Sequence, residues 1–126
     1  MKEYVAYAGN RFIIEWYYDD RGKSSAFKYY LSLPSEDRIK ILQLFKRMGD
    51  AGEIKDKTKF NYEGVQIYAF KPFSNRFLCF FYCGQKMVVT NAYQKKQQKL
   101  PKNEKLRSIK SKVDYEDRVK RGEYYE

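Results

Sequence analysis

Three residues of this sequence have the types and spacing that RNA cleavage requires, and all three lie at the ends of apolar segments. Lys71 and Arg76 flank the short stretch PFSN, and Tyr93 follows the apolar run MVVT. RNA carries its own nucleophile, the 2′-hydroxyl group. A protein that cleaves it therefore needs cations to stabilise the charge that builds up on the phosphate, and groups that accept and donate a proton. Lys and Tyr side chains with shifted pKa values can transfer that proton, so these residues are compatible with RNA cleavage that needs no metal ion or other cofactor.

Each of the three also has a purely structural interpretation. Arg76 could be an edge cation or an ion-pair partner, Lys71 an ordinary lysine at a strand end, and Tyr93 one of the 13 tyrosines that build a core. If it is functional, Tyr93 would stack on a base, a contact worth about 1–3 kcal/mol, or act through its hydroxyl group. The residue types alone do not choose between cleaving RNA and only binding it.

Five lysines are predicted to bind RNA rather than to react with it. Lys95 and Lys96 leave the last predicted strand, and Lys99 follows in the same basic run. Lys57 and Lys59 lie in a polar loop that could stand beside the sheet. For all five, the structural alternative is a solvated surface charge.

The positive charge is concentrated in one part of the chain. Residues 95–112 carry eight basic groups and one acid, so they supply +7 of the net charge of +10. A field of this kind attracts polyanions and speeds their encounter, which makes nucleic acid the first expected partner, ahead of an anionic membrane surface or an acidic protein. The first lysines of the run are expected to bind RNA directly, and those from Lys102 onward only to attract it.

Two residue counts exclude other chemistries. The chain has no histidine, which excludes Ser/His triads, histidine-ligated metals and two-histidine ribonuclease mechanisms. Its two cysteines do not form a C-x-x-C pair, and no tight cluster of carboxylates is present, so a zinc or two-metal site is not expected. Cys79 and Cys83 are predicted to be buried, reduced thiols of one strand.

The length predicts a single domain over residues 1–126. No apolar run approaches the roughly 18 residues of a membrane-spanning helix, and the N-terminus lacks the apolar block of a signal peptide. A cytoplasmic protein that does not act at a membrane is therefore expected.

The elements that must position the candidate residues follow a β-α-α-β-β-β-α order. Aromatic and β-branched runs predict strands, and apolar residues three and four apart predict helices. The predicted elements are a strand over 11–18, a short helix capped by Ser24 or Ser25 and ended by Pro34, a helix from the N-cap Ser35 to Gly49, a loop over 50–64, strands over 65–71, 76–83 and 86–93, and a helix with Pro101 as its first residue.

The short joins between the last three strands predict how the elements pack. PFSN and GQ are long enough only for hairpins, so an α+β fold is expected, with an antiparallel sheet and two helices packed on one face. The cations would lie on the uncovered sheet face or its rim. The buried helix residues should be Ile39, Ile41, Leu42, Leu44, Phe45 and Met48 in the second helix and Leu106, Ile109 and Val113 in the last.

Residues 65–120 resemble the toxins of bacterial toxin–antitoxin pairs in the RelE/ParE superfamily, especially the HigB-like, phage-associated branch. The resemblance rests on a strand that ends in a basic residue, an arginine that enters the next strand, a K-K-x-x-K-x-P-x-x-E run, and a late Asp-Tyr pair. In this sequence these are Lys71, Arg76, the run from Lys95 to Glu104, and Asp114-Tyr115. The stretch VQIYAF has no basic residue before Lys71, and the family's frequent histidine is absent.

This resemblance implies a RelE-like fold and a metal-independent mRNA interferase, commonly acting in the ribosomal A site. Arg76 would stabilise the transition-state phosphate, and Lys71 would be a second cation or a proton-transfer group. The implied partners are mRNA, the ribosome and a cognate antitoxin with a helix-turn-helix. Two alternatives stay open: a ParE-like toxin that inhibits gyrase without ribonuclease activity, and a non-catalytic nucleic-acid-binding phage protein.

Overall fold

The computed structural model describes residues 2–125, which form a mixed α+β fold. The six strands are β1 (Val5–Ala8), β2 (Ile13–Trp16), β3 (Phe60–Tyr62), β4 (Tyr68–Phe70), β5 (Asn75–Tyr82) and β6 (Lys86–Gln94). The three helices are α1 (Ser25–Ser32), α2 (Ser35–Ala51) and α3 (Lys102–Lys120). The α+β class is confirmed, whereas the predicted number and order of strands are wrong.

The sheet has the strand order β1-β2-β6-β5-β4-β3. Neighbouring strands are antiparallel except for β2 and β6, which are parallel and pair from Ile13 opposite Lys86 to Trp16 opposite Val89. The prediction of a purely antiparallel sheet is therefore wrong. The hairpins that link β4, β5 and β6 were recognisable from their short joins, but β6 also meets the distant β2, and short joins contain no information about that contact.

Two short strands of the sheet are not predicted by the sequence pattern. β1 forms a hairpin with β2, and β3 forms inside the predicted loop 50–64, where Phe60 pairs with Phe70. β3 is only three residues long, which is too short to show a periodic pattern. Each strand is stabilised mainly by the neighbour it pairs with, and a local sequence pattern does not record that contact.

The strand predicted over 65–71 is shorter because its first residues form a turn. Val65 and Gln66 have φ angles of 46° and 67°, and the Ile67 N–H donates to the Gly64 carbonyl at 2.9 Å. The strand predicted over 11–18 similarly spans only Ile13–Trp16. Cys83 lies in the hairpin turn that follows β5 and is exposed. Of the two thiols that were predicted to be buried, only Cys79 is buried.

Both faces of the sheet are covered. α1 and α2 pack on one face, around a core that contains Trp16, Phe45 and Phe77. α3 packs on the other face with Tyr115 against Phe80. The expected uncovered face is therefore reduced to the part of the sheet that α3 does not reach, beside β3 and β4.

Helix ends follow the predicted capping only at α1. The Ser24 side chain accepts a hydrogen bond from the Phe27 N–H, as expected of an N-cap. Ser35 is the first residue of α2 rather than its cap, and α2 continues past Gly49 to Gly52, which takes the left-handed C-cap conformation with φ 83°. Pro101 is the residue before α3 rather than its first.

The predicted buried faces of α2 and α3 are partly wrong. Ile39 and Leu42 of α2 are exposed, as are Leu106 and Val113 of α3. The residues of α3 that are buried are instead Ser108, Tyr115 and Arg118. Two of these three are polar, and both form hydrogen bonds in their buried positions. An apolar stripe does not identify such a helix face, because buried polar groups are stable once they are hydrogen-bonded.

Candidate active site

Five of the predicted site residues surround one cavity of about 260 Å³ at the edge of the α3 face. We call it the cleft. Its lining includes Lys71, Arg76, Tyr93, Lys95 and Lys99, and it also includes Asn61, Glu63, Ala69 and residues 97–100 of the loop before α3. It therefore combines four cations, one phenol and one carboxylate in a small volume.

The β4–β5 hairpin and its neighbours bring these residues together. The turn closes through a 3.0 Å hydrogen bond from the Asn75 N–H to the Pro72 carbonyl, which places Lys71 and Arg76 at adjoining strand ends. Arg76 is the direct cross-strand partner of Tyr93. Lys95 is held beside the same turn because its N–H donates to the Ser74 carbonyl at 2.7 Å.

A buried hydrogen-bond network supports this turn from the opposite face of the sheet. The Asn75 side chain is 3% exposed, accepts from the Tyr29 hydroxyl, and donates to the Asp37 carboxylate at 3.1 Å. Because Asn75 precedes Arg76 directly, the network fixes the start of β5 and with it the backbone that carries the guanidinium group.

The Arg76 guanidinium is held by backbone carbonyls rather than by a carboxylate. Its Nη1 donates to the carbonyls of Phe73 at 2.9 Å and Asn75 at 2.8 Å. Arg76 forms no ion pair with any residue in the range 2–125. Its charge is thus oriented but not neutralised, which is the condition for binding a phosphate group.

Lys71 and Glu63 form an ion pair at the far side of the cleft. The Lys71 Nζ lies 3.6 Å from the Glu63 carboxylate, and their side chains are only 19% and 20% exposed. Glu63 follows β3 and is held in place by its N–H, which donates to the Ile67 carbonyl at 2.8 Å. The sequence pattern does not single out this carboxylate, because it predicts a loop where β3 forms.

Tyr93 is half-buried, and its environment keeps its hydroxyl group protonated. The pKa of Tyr93 is raised to about 12, chiefly by burial and also by the negative charges of Glu63 and Glu104, while the charge of Arg76 partly offsets these effects. At neutral pH the side chain can therefore donate a proton or a hydrogen bond, but it is not available as a phenolate base.

Three predicted RNA-binding lysines lie outside the cleft. Lys96 lines a neighbouring cavity of about 550 Å³ that Tyr93 also borders. Lys59 lines a different cavity together with Lys40 and Arg47 of α2, and Lys57 is exposed in the loop before β3. Lys57 and Lys59 therefore do not line the cleft, and their binding of RNA stays a prediction.

Two kinds of feature are absent from residues 2–125. Within this range, no three His, Cys, Asp or Glu side chains lie close enough together to hold a metal ion. No helix of the same range is both long and apolar enough to cross a bilayer.

Comparison with known proteins places the chain in a family. No curated protein matches it. The family model described as Phage derived protein Gp49-like (DUF891) matches residues 28–111 of the 126-residue chain, a segment that includes every lining residue of the cleft named above. This family belongs to the RelE/HigB-like group of toxins, whose members are generally endoribonucleases, and it is associated with toxin–antitoxin systems. The predicted resemblance is thereby confirmed at the level of the superfamily: the chain belongs to the Gp49-like family of phage-derived, toxin-like proteins.

Proposed function

We propose that this protein is the toxin of a toxin–antitoxin pair and a metal-independent endoribonuclease of the HigB-like branch, cutting mRNA in association with the ribosome. The observation that supports the proposal most strongly is the cleft, where the unpaired Arg76 charge, the Lys71–Glu63 pair and the protonated Tyr93 hydroxyl border one cavity of about 260 Å³. A phosphate in this position would meet cations, a proton acceptor and a proton donor together.

The reaction would be an in-line displacement at phosphorus. The 2′-oxygen forms a bond to the adjacent phosphorus, the bond from phosphorus to the 5′-oxygen breaks, and a 2′,3′-cyclic phosphate and a 5′-hydroxyl end result. Glu63 would accept the 2′-hydroxyl proton, and Tyr93 would donate a proton to the leaving 5′-oxygen. Arg76 and Lys71 would stabilise the charge that builds up on the non-bridging oxygens.

The remaining cations of the cleft would hold the RNA strand. Lys95 and Lys99 border the same cavity as the reacting groups and contribute charge without a predicted role in proton transfer. An antitoxin, proposed to carry a helix-turn-helix, would inhibit the enzyme by laying an acidic or helical segment across this positive region.

Two other functions make different use of the same surface. A ParE-like toxin would bind gyrase and leave RNA intact, and a non-catalytic phage protein would bind nucleic acid without cleaving it. Neither requires a carboxylate and a protonated phenol beside the same cations, so Glu63 and Tyr93 favour the ribonuclease.

Induction in bacterial cells would separate the three functions. Wild type, Arg76→Ala and the control Arg21→Ala would be expressed in parallel, because Arg21 is an exposed arginine in the turn before α1, away from the cleft. We expect wild type and Arg21→Ala to arrest growth with discrete cuts in abundant messages, detected by primer extension, and Arg76→Ala to do neither. Intact messages with inhibited gyrase supercoiling would support the ParE-like function instead, and growth without either effect would contradict a toxin.

A further inference from the structure

A trough leads away from the cleft between α1 and α3. Its first part is the cavity of about 550 Å³ that shares Tyr93 and Gln97 with the cleft and is bordered by Tyr29 of α1 and Glu104 of α3. A separate cavity of about 330 Å³, which we call the distal cavity, lies further along the same elements and shares no lining residue with this first part.

The distal cavity continues the trough on all three elements that form it. Ser25 lies one turn before Tyr29 on α1, Arg107 lies three residues after Glu104 on α3, and Asn91 precedes Ala92 on β6. Helix residues three or four apart lie on the same face of a helix, so the same faces of α1 and α3 form the walls of both cavities. β6 forms the floor, and β2 pairs with it only as far as Val89, so the later residues of β6 do not pair with β2 on this side.

The cations of the distal cavity are more available than its carboxylates. Lys23, Arg107 and Lys110 line it, and within residues 2–125 neither Lys23 nor Lys110 forms an ion pair. Arg107 has only a long contact to the Glu104 carboxylate, at 3.5 Å. That carboxylate also accepts a hydrogen bond from the Asn91 side chain at 2.9 Å.

Both carboxylates that line the distal cavity already have partners. Asp114 accepts hydrogen bonds from the Arg118 Nε and Nη2 at 2.9 and 2.7 Å, and a third from the Tyr17 hydroxyl. Asp19 accepts from two backbone N–H groups of its own turn, each at 2.9 Å. The positive charges are therefore the ones free to meet a ligand.

We propose that the distal cavity binds a backbone phosphate of the same single-stranded RNA whose scissile phosphate lies in the cleft, with Lys23, Arg107 and Lys110 as its ligands. The inference rests on the proposed ribonuclease function and extends it to a longer substrate. From Asn91 to Gln94, its last residue, the strand β6 advances about 10 Å, so the two phosphates would be separated by more than one nucleotide.

The middle of the trough suits bases rather than an acidic protein segment. Its side chains include the amides of Gln94, Gln97 and Asn103, which can meet base edges, and the rings of Tyr29 and Tyr93, which can meet base faces. An acidic helix would be expected to seek apolar contacts beside the cations, and only Ala92 and Pro101 among the nine lining residues are aliphatic.

Binding to non-cleavable RNA tests the proposal without depending on catalysis. Fluorescence anisotropy would compare labelled 2′-O-methyl oligonucleotides of about 4 and about 12 nucleotides over a range of salt concentrations. The test protein is the full chain with Arg107→Gln and Lys110→Gln together. The control is Lys28→Gln with Lys120→Gln, which removes the same charge from exposed positions of α1 and α3 that line neither the cleft nor the trough.

We expect wild type to bind the longer strand more tightly than the shorter one. The test variant should weaken binding to the longer strand only and lower its salt slope by about 0.7, the value for one lost phosphate contact on a single strand, while the control keeps the wild-type slope. Equal effects of test and control variants would overturn the proposal, as would a wild-type affinity that does not depend on length.

Weaker binding to polyglutamate with unchanged RNA binding would assign the cavity to an acidic protein instead. If RNA binding behaves as expected but Arg76→Ala still cleaves RNA, the catalytic assignment fails and the distal cavity stands.

Discussion

Arg76 and Tyr93 lie directly opposite each other on β5 and β6, so the guanidinium group and the phenol hydroxyl border the same cavity. This relationship links the two halves of the proposed reaction. The positive charge of Arg76 lowers the pKa of Tyr93, yet burial and the nearby carboxylates outweigh it and hold the pKa at about 12. The cation is thus available for a phosphate, and the phenol remains a donor.

Replacing Tyr93 by phenylalanine distinguishes proton donation from base stacking. The Tyr93→Phe variant keeps the aromatic ring, so the rate of RNA cleavage would be unchanged if Tyr93 only stacked on a base. We expect RNA cleavage to slow by about 10²-fold, because a positioned proton donor contributes at least that much. The rate is measured in single-turnover reactions with saturating protein. Tyr30→Phe, on the opposite face of the sheet, is the matched control and should cleave at the wild-type rate. If Tyr93→Phe cleaves RNA at the wild-type rate, Tyr93 is not the proton donor, and base stacking is its only remaining role.

The carboxylate of Glu63 is expected to act as the proton acceptor. Glu63→Gln keeps the size of the side chain and removes its charge, so we predict a fall in cleavage of about 10²-fold with little change in RNA binding. Glu53→Gln, at an exposed position after α2, serves as the control. Tighter RNA binding with unchanged cleavage would instead mean that Glu63 only neutralises Lys71.

The Asp114–Arg118 pair is expected to make stability depend on pH. Burial alone would raise the pKa of Asp114, but hydrogen bonds from Arg118 and Tyr17 and the charge of Arg118 lower it below its ordinary value. The stabilisation is therefore complete above the unfolded-state pKa of about 3.9 and is lost as the pH falls through the folded-state value.

Asp114→Asn should accordingly reduce the free energy of unfolding by about 2 kcal/mol at neutral pH, the usual loss for hydrogen bonds to a charged group. In urea denaturation the difference from wild type should shrink below about pH 4. Asp117→Asn, whose side chain is 62% exposed in its pair with Arg121, should change stability by less than about 0.5 kcal/mol. A difference that stays constant down to acid pH would show that the charge of Asp114 is not what stabilises the fold.

Gly9 has no room for a side chain. A Cβ atom at this position would lie 2.2 Å from the carbonyl carbon of Gly49 in α2, and the same Gly49 carbonyl accepts hydrogen bonds from the N–H groups of Arg11 and Phe12. We expect Gly9→Ala to lower the free energy of unfolding by at least about 2 kcal/mol, because the backbone at Gly9 or Gly49 must move to make room for the added Cβ atom. Ala8→Ser, at an exposed neighbouring position, should have little effect, and equal melting temperatures for the two variants would contradict this packing.

The sequence predicts those positions in the site that depend only on residues close together in the chain. Lys71 and Arg76 are joined by a four-residue turn, and such a turn forces its two ends together. Glu63 could not be found in this way, because its position depends on the three-residue strand β3 and on pairing with β4. Its signal would have been the pairing of Phe60 with Phe70, which no periodic pattern reveals.

The same reasoning explains the errors at the helices. Sequence periodicity assigns apolar residues to the buried side, yet α3 buries Ser108 against Thr90, with the two hydroxyl oxygens 2.7 Å apart, and exposes Leu106. Tertiary hydrogen bonds decided the orientation of this helix, and they depend on residues far away in the chain. The basic run is visible in the sequence itself, and the structure places its Lys95 and Lys99 at the cleft; their binding of RNA stays a prediction.

The chemistry of the cut ends tests the central claim most directly. Purified protein, with ribosomes supplied in a parallel reaction, would be incubated with a defined RNA and with the same RNA carrying a single 2′-deoxy nucleotide at the cut position. We predict fragments with 2′,3′-cyclic phosphate and 5′-hydroxyl ends from the RNA, no cut at the substituted position, and no cleavage by Arg76→Ala. Fragments with 5′-phosphate ends, or cleavage at the 2′-deoxy position, would contradict a mechanism in which the RNA supplies its own nucleophile.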